Sequence, residues 1–89
     1  MSYYNFTTNT STTNGPLPTA TAIVSITGTW GSGTATIAVL DASGNAITVD
    51  TATADYRQEV TFGKGRQYRI TLSGATAPDL DSYVLPVES

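Results

Sequence analysis

Few side chains of this sequence could do chemistry, because its 89 residues include no His and no Cys. The chain has neither an imidazole that titrates near neutral pH nor a thiol that could act as a nucleophile or bind zinc. Its closest approach to a catalytic pair is Asp79 and Asp81, two positions apart in a predicted loop. A glycosidase holds two such carboxyl groups on either side of a sugar, and this chain is too short to form that cleft. We predict that the protein is not an enzyme and has no catalytic residues.

The sequence also gives little indication of a site for a metal, a cofactor or a nucleic acid. The segment 41–45 offers one carboxylate, too few for a calcium loop, and the glycine-rich segment 28–33 lacks the lysine of a phosphate-binding loop. All four basic residues fall between Arg57 and Arg69, but the net charge is −3 and Glu59 interrupts the basic stretch. We expect Arg69 and Glu59 to pair across neighbouring strands, and we predict no metal, no cofactor and no nucleic-acid partner.

From residue 20 onward, apolar side chains alternate with Ser and Thr, which is the period of a half-buried strand. The predicted strands lie near residues 20–30, 34–39, 47–49, 58–62, 68–72 and 83–85. Glycine-rich turns separate them at spacings typical of all-β domains. We predict a small antiparallel β-sandwich of about six strands over residues 20–89. In it, the first and second strands form one hairpin, and the fourth and fifth form another.

The predicted core is small. It comprises the apolar side chains in phase with these strands: Val24, Ile26, Trp30, Ile37, Val39, Ile47, Val60, Phe62, Tyr68, Ile70, Leu72 and Leu85. A domain of this length buries only about 60% of the surface that its unfolded chain exposes. Because disulfides and a zinc site are excluded, we expect association with other subunits to supply the missing stability.

Residues 1–19 are predicted to form an extended N-terminal arm outside the sandwich. A cluster of aromatic residues is followed by a tract of Asn, Thr and Ser with too little apolar content to fold alone, and then by two prolines. The candidate partner-binding residues of the arm are Tyr3, Tyr4, Phe6 and Leu17. The alternative is a mobile terminus without a partner. On the arm hypothesis, deletion of residues 1–19 leaves the fold intact and weakens assembly.

The charge distribution also indicates a covered surface. Charged residues make up 12% of the chain, and residues 1–40 contain none. We expect an uncharged, Thr-rich face to contact a neighbouring subunit. The N-terminus lacks the basic and apolar segments of a secretory signal, and no apolar run approaches the ~18 residues of a membrane span. We therefore expect synthesis in the cytoplasm and no membrane partner.

Several short segments recur in a recognisable order along the body of the chain. They are Gly28-Thr29-Trp30, Ala35-Thr36-Ile37-Ala38-Val39, Asp41-Ala42-Ser43-Gly44-Asn45, Tyr68-Arg69-Ile70-Thr71-Leu72-Ser73-Gly74-Ala75-Thr76-Ala77-Pro78 and Tyr83-Val84. This order resembles small virion structural proteins of tailed bacteriophages. The resemblance covers about residues 22–85, with a compressed section between residues 50 and 56.

The resemblance implies a head decoration (cement) protein with a β-sandwich fold, often a trimer, that binds and stabilises the capsid shell. Its partners would be further copies of itself and the major capsid protein or another virion protein. It would be made in the bacterial host and located on the capsid surface of the virion. A neck, tail or fibre-base subunit is an alternative within the same particle. An alternative of another class is a carbohydrate-binding surface module that uses Trp30, Tyr56 and Tyr83.

Overall fold

The computed structural model describes residues 2–87, which form eight strands and no helix. The strands are β1 (Ser2–Phe6), β2 (Ser11–Asn14), β3 (Thr21–Thr29), β4 (Thr34–Leu40), β5 (Ala46–Ala52), β6 (Tyr56–Thr61), β7 (Tyr68–Ser73) and β8 (Asp79–Val87). They build two four-stranded sheets that pack together, with every neighbouring pair antiparallel. The predicted antiparallel β-sandwich is confirmed, with two strands more than expected.

Most links between strands carry the chain from one sheet to the other. Sheet A has the order β1-β8-β3-β6 and sheet B the order β2-β7-β4-β5. Within residues 2–87, only the link from β4 to β5 joins neighbours in the same sheet. Both predicted hairpins are therefore wrong, because β3 and β4 lie in different sheets, as do β6 and β7. Two alternating strands separated by a glycine turn are compatible with a hairpin and with a crossing between sheets, and strand periodicity does not distinguish them.

The core fills the space between the inner faces of the sheets, and most of the predicted core residues lie there. Val24, Ile26, Ile37, Phe62, Tyr68, Ile70 and Leu72 are buried, while Trp30, Val39 and Val60 pack partly buried against them.

Two of the predicted core positions are wrong, because Ile47 is 53% exposed and Leu85 is 45% exposed. Ile47 lies on β5, an edge strand with almost no buried residue. Leu85 points outward because β8, which begins at Asp79, buries Leu80, Ser82 and Val84. Side chains alternate between the two faces of a strand, so the odd-numbered positions of β8 face solvent.

The predicted arm is part of the sandwich. Strand β1 pairs with β8 at the edge of sheet A, and β2 pairs with β7 at the edge of sheet B. Phe6 is 1% exposed and Leu17 is 5% exposed, both within the core. The boundary predicted at residue 19 is therefore corrected. The polar tract needs little apolar content of its own, because the edge of sheet B supplies the backbone hydrogen bonds of β2.

The predicted pair between Arg69 and Glu59 does not form, since the two residues lie in different sheets. Arg69 Nε instead donates a hydrogen bond to Thr13 Oγ1 at 3.0 Å, which links β7 to β2. The N-terminal segment is thus held to the body by side-chain contacts as well as by the ladders.

The burial of Phe6 reverses the expected effect of altering the N-terminal segment. We expect Phe6→Ala to lower the free energy of unfolding by about 3–5 kcal/mol, because it removes a large buried side chain and leaves a cavity. That loss is a large share of the ~5–15 kcal/mol typical of a whole domain. Urea denaturation followed by Trp30 fluorescence measures it. Thr8→Ala, at an exposed position of the β1–β2 link, is the control and should change stability by less than about 0.5 kcal/mol. Equal effects of the two variants would show that the segment is not part of the core.

The crossing from β3 to β4 depends on Gly31, whose φ is +58°. A Cβ at this position would collide with the carbonyl oxygen of Thr76, whose backbone N–H donates to Gly31 O at 2.9 Å. Gly44, in the turn between β4 and β5, also has a positive φ, of +85°, but a Cβ there would have no other atom within 4 Å.

Substitution of these two glycines distinguishes the cost of backbone strain, expected at both positions, from the cost of a steric clash, expected only at Gly31. Gly44→Ala should cost about 1–2 kcal/mol of unfolding free energy, from the positive φ alone. Gly31→Ala should cost a further 1–3 kcal/mol, roughly, because the β7–β8 link must move. Thermal and urea unfolding of both variants measures the difference. Indistinguishable midpoints would contradict the close approach at Gly31.

Candidate binding surface

The outer face of sheet A combines aromatic, apolar and charged side chains in register. Alternate residues of β3 and β8 point away from the core, and pairing with β1 and β6 aligns them into rows. The rows are Leu85–Ile23–Glu59, Tyr3–Tyr83–Ser25–Arg57, Asn5–Asp81–Thr27 and Asp79–Thr29. We call this set the sheet A surface.

An open groove of about 370 Å³ runs across the sheet A surface. Its lining consists of Ile23, Ser25, Thr27, Arg57, Tyr83 and Leu85. Among the described residues, six large hydrophobic side chains are exposed, and three of them, Tyr3, Tyr83 and Leu85, lie on this one face. Clustering of this kind is the feature that separates an interaction site from the isolated exposed apolar residues of any protein.

One end of the sheet A surface is acidic and internally hydrogen bonded. Asn5 Nδ2 donates to Asp79 Oδ1 at 3.0 Å and to Asp81 Oδ1 at 3.3 Å, so one amide bridges two neighbouring carboxylates. The hydroxyl of Tyr3 donates to Asp81 Oδ1 at 2.6 Å. This hydrogen bond is the main reason that the pKa of the Tyr3 phenol is raised above its ordinary value of 10.0. The β6 edge of the surface carries both a positive and a negative side chain, Arg57 and Glu59.

Of the four predicted partner-binding residues, only Tyr3 lies on this surface. Its side chain is 55% exposed, and its ring centroid is 5.1 Å from that of Tyr83. Tyr4 is 38% exposed and packs edge-on against Phe6, with ring centroids 4.7 Å apart. Phe6 and Leu17 are buried in the chain's own core and cannot contact a partner.

The three aromatic residues considered for carbohydrate binding are not brought together. Trp30 is half-buried against the core, and its Nε1 donates to Asp55 Oδ1 at 3.0 Å. The hydroxyl of Tyr56 donates to Asp50 Oδ2 at 2.7 Å. Of the three, only Tyr83 presents a ring to the groove. Trp30 and Tyr56 instead hold the link between β5 and β6 in place.

The Thr-rich face predicted from the sequence is divided between the two sheets. The Thr and Ser residues of β3 lie on the sheet A surface, while those of β4 lie on the outer face of sheet B. The outer rows of sheet B are Ser11–Thr71–Thr36–Thr51, Thr13–Arg69–Ala38–Thr48 and Ser73–Thr34. These rows carry one charge, that of Arg69, and no large apolar side chain, so they offer hydroxyl groups and little to bury.

The sequence analysis did not predict that Leu85 is exposed on this surface, nor that Asp79 to Asp81 belong to a strand. The signal was present, because Leu80, Ser82 and Val84 alternate with Asp79, Asp81 and Tyr83 in a period of two. This alternation was not used, because Asp79 and Asp81 were assigned to a loop. Reading it as a strand would have placed the two acids and Leu85 on one outward face.

The chemistry available on the sheet A surface is noncovalent. Within residues 2–87, no group of three or more His, Cys, Asp and Glu side chains is gathered to hold a metal ion. In the same part of the chain, no helix is long and apolar enough to cross a membrane. The surface offers ring stacking, apolar contact, one guanidinium and the three carboxylates of Glu59, Asp79 and Asp81, which are the groups that protein and carbohydrate recognition use.

Comparisons with protein-family models, with curated proteins and with solved structures find no match to this chain.

The bond from Tyr3 to Asp81 predicts a specific titration. Asp81→Asn should lower the pKa of Tyr3 toward 10.0, since the variant loses the charge that favours the protonated phenol. Asp79→Asn should lower it less, because Asp79 acts only through a weaker charge interaction. Since the folded-state pKa is raised, the stability from this bond is present below pH about 10 and is lost as the pH rises through that pKa. NMR titration of the Tyr3 ring carbon measures each value. An unchanged pKa in Asp81→Asn would contradict the hydrogen bond.

Proposed function

We propose that this protein is a non-enzymatic virion structural protein of a tailed bacteriophage, which decorates the capsid and binds a neighbouring virion protein through the sheet A surface. The proposed binding site rests on one observation: the exposed side chains of Tyr83 and Leu85 line one groove, and the exposed ring of Tyr3 packs against that of Tyr83. The virion role is supported by the resemblance of residues 22–85 to phage virion proteins.

The composition of the sheet A surface is that of a protein-binding patch. Tyr83, Leu85 and Ile23 lie on its two central strands, while Arg57 and Glu59 stand on the edge strand β6 and the Asp79–Asp81 pair stands at the acidic end. Protein interfaces place their strongest contacts at aromatic and Arg residues inside a polar rim. Tyr3 and Tyr83 hold each other through their rings, so little side-chain entropy would be lost when a partner covers them.

A rigid scaffold supports this surface. The two central strands of sheet A, β3 and β8, pair along nine residues and bury one side of each strand in the core. A surface built on strands is held more firmly than one built on loops. A contact face that is already rigid loses little conformational entropy on binding, so more of its contact energy is available to stabilise the shell.

The proposal is tested by adding the purified protein to phage heads stripped of it. We expect saturable binding and a higher melting temperature of the heads, because a ligand that binds only the assembled shell stabilises it. Leu85→Asp should weaken binding at least about tenfold by placing a charge in the groove. Ile47→Asp is the matched control, since Ile47 is as exposed as Leu85 but lies on β5.

Two results would overturn the proposal in different ways. Binding to heads no stronger than that of an unrelated small β-protein would reject the decoration role. In that case, binding to purified necks, tails or fibre bases decides whether the chain belongs elsewhere in the particle. Binding that Ile47→Asp abolishes and Leu85→Asp leaves intact would reject the sheet A surface as the contact.

A second candidate function is carbohydrate binding, favoured by the Tyr3–Tyr83 ring pair beside the carboxylates of Asp79 and Asp81. Exposed rings and carboxylate acceptors are the groups that sugars stack on and hydrogen bond to. A glycan array distinguishes the two functions. We expect no reproducible signal, whereas binding that Tyr83→Ala abolishes would make carbohydrate the ligand of this surface.

A further inference from the structure

Strand β6 forms one edge of sheet A, and one side of its backbone is unpaired. It pairs with β3 from Tyr56 to Thr61 and, within residues 2–87, with no other strand. An unpaired strand edge carries a row of N–H and C=O groups that can accept a further strand. Natural proteins usually block such edges, so the side chains on β6 decide what can pair with it.

The side chains on β6 carry opposite charges two residues apart. Arg57 and Glu59 are exposed and lie on the same side of the strand, with Gln58 between them on the other side. Within residues 2–87, the side chains of Arg57 and Glu59 make no hydrogen bond and no ion pair, although the side chains of most acids of the chain do. These two charges are therefore free to meet a partner.

We propose that β6 pairs antiparallel with β6 of a second copy of this chain, about a two-fold axis through Gln58. In this register Arg57 of each copy stands directly opposite Glu59 of the other, so one axis generates two ion pairs. The same register sets Tyr56 opposite Val60 of the other copy. Both of these side chains already pack against the core, and the pairing extends the buried inner face across the dimer. Aromatic, β-branched and oppositely charged pairs are the favourable cross-strand combinations.

The charges also exclude the neighbouring registers. An axis through residue 57 would set two arginines opposite each other, and an axis through residue 59 would set two glutamates opposite each other; like charges in that position are destabilising. A shift by one residue would pair inward-facing with outward-facing positions. The register through Gln58 is thus the favourable one for this strand.

The other three sheet edges lack this self-complementarity. Strand β2 has four residues and no charge. On β1, Tyr3 and Asn5 already bond to residues of β8. Strand β5 exposes Ile47 and Val49, but its ladder with β4 is interrupted by a bulge, a feature that discourages edge pairing, and its one charge is bound by Tyr56.

Pairing through β6 would join two A sheets into one continuous eight-stranded sheet. Arg57 lines the groove of the sheet A surface, so the two grooves of the dimer would lie side by side on one face. A two-fold dimer of this kind differs from the trimer that the phage resemblance implies. It is also independent of the proposed function, because it concerns the protein alone in solution.

The test is a charge swap in the full-length protein, with mass measured by sedimentation equilibrium and light scattering up to about 1 mM. We expect a monomer–dimer equilibrium for the wild type. Arg57→Glu and Glu59→Arg should each weaken dimerisation about tenfold or more, since each replaces two opposite-charge contacts with two like-charge contacts. The double variant Arg57→Glu/Glu59→Arg should restore it, because the swapped charges again face their opposites. Lys64→Glu changes the net charge as much as Arg57→Glu does but lies outside β6, and it should leave the dimer unchanged.

A disulfide tests the axis directly, since the chain has no cysteine of its own. Gln58→Cys should form a covalent dimer under mild oxidation, because residues opposite each other on the axis have Cα atoms about 4.5–5.5 Å apart, within the range that a disulfide bridges. Thr61→Cys is the control, as its symmetry mate lies about 20 Å away. Circular dichroism confirms that each variant is folded. A monomeric wild type at all concentrations, a folded double variant that fails to recover the dimer, or a trimer insensitive to both charges would overturn the proposal.

Discussion

The packing of the inner face of sheet A against that of sheet B is the constraint on which the other features of this molecule rest. Because a strand alternates its side chains between two faces, every residue placed in the core determines what its neighbours present to solvent. On β8, burial of Leu80, Ser82 and Val84 places two acids, a tyrosine and a leucine outside. The sheet A surface is therefore a direct consequence of core packing, with its composition decided by the alternate positions of β3 and β8.

Charge is scarce in this molecule, and most of it has a structural use. The carboxylate of Asp41 accepts hydrogen bonds from the backbone N–H groups of Asn45 and Ser43, which lower its pKa and hold the β4–β5 turn. Asp50 and Asp55 fix the link between β5 and β6 through Tyr56 and Trp30. Among the charged side chains on the described strands, those of Arg57 and Glu59 make no hydrogen bond, and both are on the edge strand β6.

The sequence predicted the strands whose two faces differ most. Strands β3, β4 and β7 alternate apolar with Thr or Ser residues and were placed correctly, together with their buried side chains. Strand β2 could not be found in this way, because it is polar throughout and exists only through its ladder with β7. The N-terminal half of β8 was missed because its acids suggested a loop. Of the candidate site, Tyr3 and Tyr83 were identified, whereas Leu85 was assigned to the core.

Composition and a local period of two were enough to establish the all-β class, the absence of His and Cys chemistry, and most of the core. The folded structure was needed to show which strands are neighbours, that Phe6 and Leu17 complete the core, and that Tyr3, Tyr83, Leu85 and Arg57 share one face. This division arises because turns between alternating strands are compatible with a hairpin and with a crossing between sheets. The choice between them depends on packing between residues far apart in the chain, which no local pattern encodes.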